Sequence, residues 1–169
     1  MHRVRVMIGM LGLDQHEVGA IAVSRMLRDA GMEVVYVGRF NMPDMIVKTS
    51  IQEDVDLIGL SCHSWEYLYF LPQLIKLLAE QKAEIPVVVG GSIITLGDRV
   101  KLAEMGVAAA FGPSSSAQEI VETIRALGAT RDYTASSKKT LPSEKASESL
   151  RVDGNGLDVP TGTFRNEMP

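Results

Sequence analysis

The chain has 169 residues, 46% of them hydrophobic and 22% charged, a composition that suits one globular domain with a sizeable core. A net charge of −4 and a pI near 5.4, with no basic patch interleaved with aromatics, exclude a nucleic-acid-binding surface and leave small molecules or a protein as partners. No apolar stretch of signal or membrane-spanning length occurs, so the expected setting is the cytoplasm, away from membranes. The single Cys62 rules out an internal disulfide and reads as a buried structural thiol.

Residues 4–10 read as a first strand, 16–30 as a helix closed by Gly31, and 33–37 as a second strand. Pro43 opens a helix to about residue 53, followed by a strand over 56–61 and a long helix over 65–81. A fourth strand over 86–89 runs into Gly90-Gly91, a helix covers 96–105, a short fifth strand 108–111 and a last helix 116–127. Strands alternating with helices imply a parallel sheet covered on both faces, because right-handed crossovers between parallel neighbours are the helices themselves: a doubly wound α/β fold. This domain spans residues 1–128; from 129 to 169 apolar periodicity vanishes and Ser, Thr, Lys, Glu, Gly and Pro dominate. Such a stretch buries too little surface to offset its ordering entropy and is expected to be a flexible tail. Alternatively it orders against another subunit through Leu150, Val152, Leu157, Val159 and Phe164.

In a doubly wound sheet, ligands sit beyond the carboxyl ends of the strands. There the sequence places Asp14-Gln15-His16-Glu17-Val18-Gly19 after strand one, Ser61 after strand three, Gly90-Gly91 after strand four and Gly112 after strand five. An Asp two residues before a His can accept the proton of one imidazole nitrogen, fixing the tautomer and aiming the other nitrogen at a metal. A plainer reading makes Asp14 a helix cap and His16 a solvated first-turn residue. Gly90-Gly91 marks either a close backbone approach or an ordinary strand-to-loop turn.

No Gly-x-Gly-x-x-Gly follows strand one and no P-loop motif occurs, which removes the usual nucleotide cradles. A phospho-acceptor receiver domain would need clustered acids after strand one and a Lys after strand five, where Phe111-Gly112-Pro113-Ser114 stands instead. Ser61 with His63 or His16 offers the residue types of a hydrolase without a nucleophile elbow. His16, His63 and Cys62 match no structural zinc spacing.

Taken jointly, Asp14-x-His16-x-x-Gly19, Ser61, Gly90-Gly91 and Phe111-Gly112-Pro113 resemble the cobalamin-binding domain of base-off, His-on enzymes. The likeness extends to Arg28-Asp29-Ala30-Gly31-Met32-Glu33-Val34, Glu53-Asp54-Val55-Asp56-Leu57-Ile58-Gly59 and Glu104-Met105-Gly106-Val107, and covers about residues 3–127. Within that family it is similar to the small subunit or C-terminal domain of adenosylcobalamin-dependent acyl-CoA mutases of the methylmalonyl-CoA and 2-hydroxyisobutyryl-CoA type.

The resemblance implies a flavodoxin-like five-stranded sheet of order 2-1-3-4-5, with His16 as lower axial cobalt ligand and Asp14 holding its other nitrogen. It further implies that Ser61 lines the pocket for the displaced benzimidazole, that Gly90 and Gly91 let the nucleotide tail pass, and that Gly112 and Ser115 close the pocket. Gln15, Glu17, Val18 and His63 complete the expected cofactor-binding set; no catalytic residue is expected in this chain. The cofactor implied is adenosylcobalamin, and the partner a large, barrel-type subunit that binds the acyl-CoA, since 169 residues cannot hold both domains.

The family usually has Gly at 15, Asp-Arg at 17–18, Leu at 63 and Gly-Thr at 114–115, and smaller residues than Trp65, Glu66, Tyr67 and Tyr69. His63 is read as hydrogen-bonding the nucleotide tail or reshaping the surface toward a partner. Loss of cofactor binding is a third reading, opposed by retention of Asp14, His16, Gly19, Ser61 and both later glycines. A corrinoid methyl carrier, or a cobalamin-dependent regulatory protein, is the alternative function. Carriers usually have a helical cap before strand one, which is not expected here, and Lys-Asn after the motif Gly, where this chain has Ala20-Ile21.

Overall fold

The computed structural model describes residues 2–130. From residue 131 onward the polar stretch, with its five apolar anchors, lies outside the described residues.

Five strands, β1 (Arg5–Leu11), β2 (Glu33–Asn41), β3 (Leu57–Ser61), β4 (Val87–Gly90) and β5 (Ala109–Phe111), alternate with α1 (Glu17–Asp29), α2 (Pro43–Gln52), α3 (Tyr67–Glu80), α4 (Leu96–Glu104) and α5 (Ala117–Gly128). The strands form one parallel sheet in the order β2-β1-β3-β4-β5, the doubly wound arrangement expected from the alternation.

Side chains alternate across the sheet with the period of two that a strand imposes. Val6, Ile8 and Met10 of β1 join Leu57, Val88 and Phe111 in one core, with Ala20 and Leu27 of α1 and Ile124 of α5. Met7 and Leu11 point the other way, joining Ile58, Leu60, Val87 and Val89 against Ile46 and Val47 of α2, Leu71, Leu74 and Leu78 of α3, and Leu102 of α4. Both faces of every central strand are thus apolar, which is why the strands read as continuous hydrophobic runs.

Two elements differ from expectation. β2 continues to Asn41 although Gly38 (φ 70°) and Phe40 (φ 63°) take left-handed backbone. Its register against β1 shifts twice, between Ile8 and Gly9 and between Gly9 and Leu11. The Asn41 side-chain amide supports the irregular turn by donating to the carbonyls of Gly38 (2.9 Å) and Met10 (3.2 Å). The helix expected from residue 65 begins instead at Tyr67 and carries Pro72 as its sixth residue, where it forgoes one i→i−4 hydrogen bond.

Candidate functional site

The β1–α1 loop turns on the Asp14 carboxylate, whose side chain is 1% exposed. Asp14 Oδ1 accepts from the backbone N–H of His16 (2.9 Å) and lies 2.8 Å from His16 Nδ1. Asp14 Oδ2 accepts from the backbone N–H of His63, in the loop after β3. Burial pushes the Asp14 carboxyl up, but the hydrogen bonds from His16 N–H, His63 N–H and the His16 imidazole outweigh it and leave the pKa below the ordinary carboxylate value.

Asp14 therefore does not cap α1: the residue at the cap is His16, whose side chain makes no capping bond. The His16 side chain is 70% exposed while Nδ1 is tied to a buried acceptor. With Nδ1 as the donor, the lone pair lies on Nε2, and the ring is held in one orientation at the surface.

Beside this loop, between the sheet and the α1/α5 layer, lies a cavity of about 240 Å³. Gly19, Ala20 and Val23 of α1, Gly59, Ser61 and His63 of the β3 region, and Gly90, Gly91 and Ser92 at the end of β4 line it. Phe111, Gly112 and Pro113 with Ile120 and Ile124 complete the far wall. Its walls are overwhelmingly apolar, with polar groups confined to a few positions, the composition of a small-molecule site.

The glycines serve different ends. A Cβ on Gly19 would stand 3.4 Å from His63 Cε1, 3.7 Å from His63 Nε2 and 3.9 Å from Ser61 Oγ, in the space where these polar groups meet. A Cβ on Gly90 would touch only Phe111, at 3.9 Å. On Gly91 it would fall 1.7 Å from the carbonyl oxygen of Cys62, and on Gly112 2.5 Å from that of Ile94. Gly91 and Gly112 are therefore demanded by backbone packing between neighbouring loops, while Gly19 and Gly90 leave room.

Of the residues expected at the site, Gly19, Ser61, His63, Gly90, Gly91 and Gly112 meet around the cavity, and Asp14 and His16 stand at its edge through His63. The His16 and His63 ring centroids are 5.4 Å apart at 33°. The others face elsewhere. Gln15 is exposed and Val18 is 83% exposed. The Glu17 carboxylate turns to β2, accepting from the Tyr36 hydroxyl (2.7 Å) and pairing with Arg39 (3.4 Å). Burial, then the Glu17 carboxylate, push the Tyr36 phenol up to about 12. Ser115 Oγ accepts from the Arg99 guanidinium (3.0 Å), joining the loop after β5 to α4 rather than lining the cavity.

Cys62 is buried, and desolvation followed by the nearby Asp14 carboxylate raises its thiol well above the ordinary range, leaving it protonated and inert. Sequence reasoning missed Ala20, Val23, Gly59 and Ile120. Gly59 carried a signal, a glycine inside an apolar strand; the helix residues carried none beyond ordinary core periodicity. Among the described residues no group of three or more His, Cys, Asp or Glu is arranged to hold a metal ion, so His16, His63 and Cys62 form no zinc site. A lone, carboxylate-held imidazole beside an apolar cavity fits a metal delivered inside a macrocycle that carries an organic tail.

Residues 4–122 match the family described as the B12 binding domain, and the chain belongs to that family. It is 38% identical over 128 residues to the 2-hydroxyisobutanoyl-CoA mutase small subunit of Aquincola tertiaricarbonis, covering 76% of this chain and 94% of that one. It is 39% identical over 125 residues to the pivalyl-CoA mutase small subunit of Xanthobacter autotrophicus, covering 74% and 84%. Methylmalonyl-CoA mutase of Rhizobium meliloti is 32% identical over 126 residues, which are 75% of this chain and 17% of that much longer protein.

Among solved structures, a cobalamin-binding protein from Desulfitobacterium hafniense superposes with a TM-score of 0.65 at 18% identity, covering 74% of this chain and 59% of that one. The receiver domain of the putative response regulator NarL from Mycobacterium tuberculosis reaches 0.59 at 18% identity, covering 78% and 100%. The fold is thus shared between a cobalamin-binding protein and a signal receiver domain, and does not by itself assign a function. Among the described residues no helix is long and apolar enough to cross a membrane.

Proposed function

We propose that this chain is the cobalamin-carrying subunit of an adenosylcobalamin-dependent acyl-CoA mutase, working with a separate large subunit that binds the acyl-CoA and houses its carbon-skeleton rearrangement. The observation that carries the reading is the Asp14 carboxylate, enclosed and shared between the His16 imidazole and the His63 backbone, which holds an exposed metal-ligating ring beside an apolar cavity. Relatives matched over 94% and 84% of their own length bear the names of mutase small subunits, which supports the large-subunit partner.

In this reading His16 Nε2 would hold the cobalt, and Asp14 would keep the Nδ1 proton in place and raise the basicity of Nε2. Ser61, Gly19, Gly90 and Gly91 would receive the nucleotide tail in the cavity, whose apolar floor of Ile8, Val88 and Ile124 excludes water from the base. The bound cofactor supplies radical chemistry through its cobalt–carbon bond. Gln15, Glu17, Val18 and Ser115 shape the loops around the site without lining the cavity.

The test is reconstitution of the full chain with cobalamin, followed by reduction to the paramagnetic cobalt(II) form. With ¹⁵N-histidine in the chain, the resonance spectrum is expected to show coupling to a protein nitrogen, lost in His16→Ala. No binding, or benzimidazole still on cobalt, overturns the proposal. Addition of a barrel-type mutase subunit should then confer acyl-CoA rearrangement.

A further inference from the structure

His63 is the one polar side chain of the cavity whose nitrogen chemistry goes unused. Its Nδ1 is enclosed by protein without a hydrogen-bond partner, and no described residue bonds its Nε2. A buried, unpaired polar atom costs about 1–3 kcal/mol, and a protein that retains one where an apolar residue would fit requires a reason. Nothing in the packing supplies it: the backbone N–H of His63 already makes the bond to Asp14 that positions the loop, and any residue but proline could make that bond.

The ring's position does supply one. It lies 5.4 Å from the His16 ring on one side and flanks the space over Gly19 on the other, where Ser61 Oγ also arrives. His63 therefore stands between the exposed metal-ligating imidazole and the apolar interior of the cavity. Any ligand that is held by His16 and sends a tail into the cavity must pass this ring. In the proposed function the apolar floor beyond would take the base, which would leave the polar part of the tail, its linker, phosphate and ribose, facing the two polar side chains at the entrance, His63 and Ser61.

We infer that His63 is a specificity-determining residue that hydrogen-bonds the polar part of the corrinoid's nucleotide tail, so that the chain discriminates a complete corrinoid from one without a tail. The inference rests on the function proposed above. With no partner fixing its tautomer, the ring can donate to a phosphate or ribose oxygen or accept from a hydroxyl, and Ser61 beside it gives a second polar contact. The space left by the missing Gly19 side chain is what admits the tail between them.

The experiment measures dissociation constants of the full 169-residue chain and its variants for cobalamin and for cobinamide, which lacks the nucleotide, by calorimetry. His63→Leu, the apolar residue of similar size, is expected to weaken cobalamin binding about three- to tenfold, the worth of one hydrogen bond, and to leave cobinamide binding unchanged. His63→Asn, which keeps a hydrogen-bonding group, is expected to recover part of the loss, and circular dichroism checks that both variants fold.

Unchanged or tighter cobalamin binding by His63→Leu overturns the inference, and so does an equal loss for both corrinoids, which would place the effect on His16. Failure of the wild-type chain to bind either corrinoid, by contrast, overturns the proposed function itself.

Discussion

The two faces of the sheet are built from the same strands yet finished differently. Toward α2, α3 and α4 the space is filled by large side chains, with Met7, Ile58, Leu71, Leu74 and Leu102 fully buried. Toward α1 and α5, Gly90 ends β4, α1 offers Gly19 and Ala20, and a cavity of about 240 Å³ is left, with Gly59 in the middle of β3 packed under Ile8 at its edge. One face supplies stability by close packing; the other gives up packing and leaves a cavity, the trade that the proposed binding of a ligand there requires. The lesson is that the binding face is defined as much by side chains left out as by those put in.

Substitutions can break that contrast, and the largest effect is expected where a glycine serves packing rather than space. Gly91→Ala drives a methyl group into the Cys62 carbonyl and should cost more than about 4 kcal/mol, or prevent folding, in denaturant titration with no ligand present. On the filled face, Leu71→Ala should lower stability by about 2–5 kcal/mol and leave cobalamin affinity per folded molecule unchanged. Asp14→Asn sharpens the contrast from the other side: loss of the charged acceptor for the His16 ring should weaken cobalamin capture about ten- to a hundredfold by absorption titration. Gly90→Ala, whose added methyl meets only Phe111, should change stability by no more than about 1 kcal/mol while measurably weakening cobalamin but not cobinamide.

The smallest effect concerns acid. Because the folded-state pKa of Asp14 lies below its ordinary 3.8, the folded chain binds this proton less readily than the unfolded one. The stabilisation it gives is complete above that ordinary value and is lost as pH falls through the lowered one. Acid unfolding of the apo chain below about pH 4 should therefore be less steep in Asp14→Asn, and an unchanged acid limb would exclude this carboxylate as a contributor.

Much of this organisation is legible in the residues. Alternating apolar runs and helical stretches give the order of elements, because each central strand is buried on both faces and each helix on one. Asp14 and His16 are legible because their spacing is local, two residues apart on one loop. What depends on distant packing is not. Glu17 sits inside the motif, yet its carboxylate is claimed by Tyr36 and Arg39 on a strand with no sequence mark pointing back to it. Ser115 is claimed by Arg99 in the same way. The extension of β2 past Gly38 is hidden because a glycine, an arginine and a left-handed phenylalanine interrupt the pattern, and only the Asn41 side chain makes the turn tolerable.

The shared Asp14 carboxylate has a further consequence for binding energetics. Because one side chain fixes the loop after β1 and the loop after β3 together, both are ordered when the chain folds rather than when a ligand arrives. A ligand that grips His16 and also enters the cavity then meets two contact points already set at a fixed separation. The entropy of arranging them is not charged against its affinity, and gripping one end raises the effective concentration of the other.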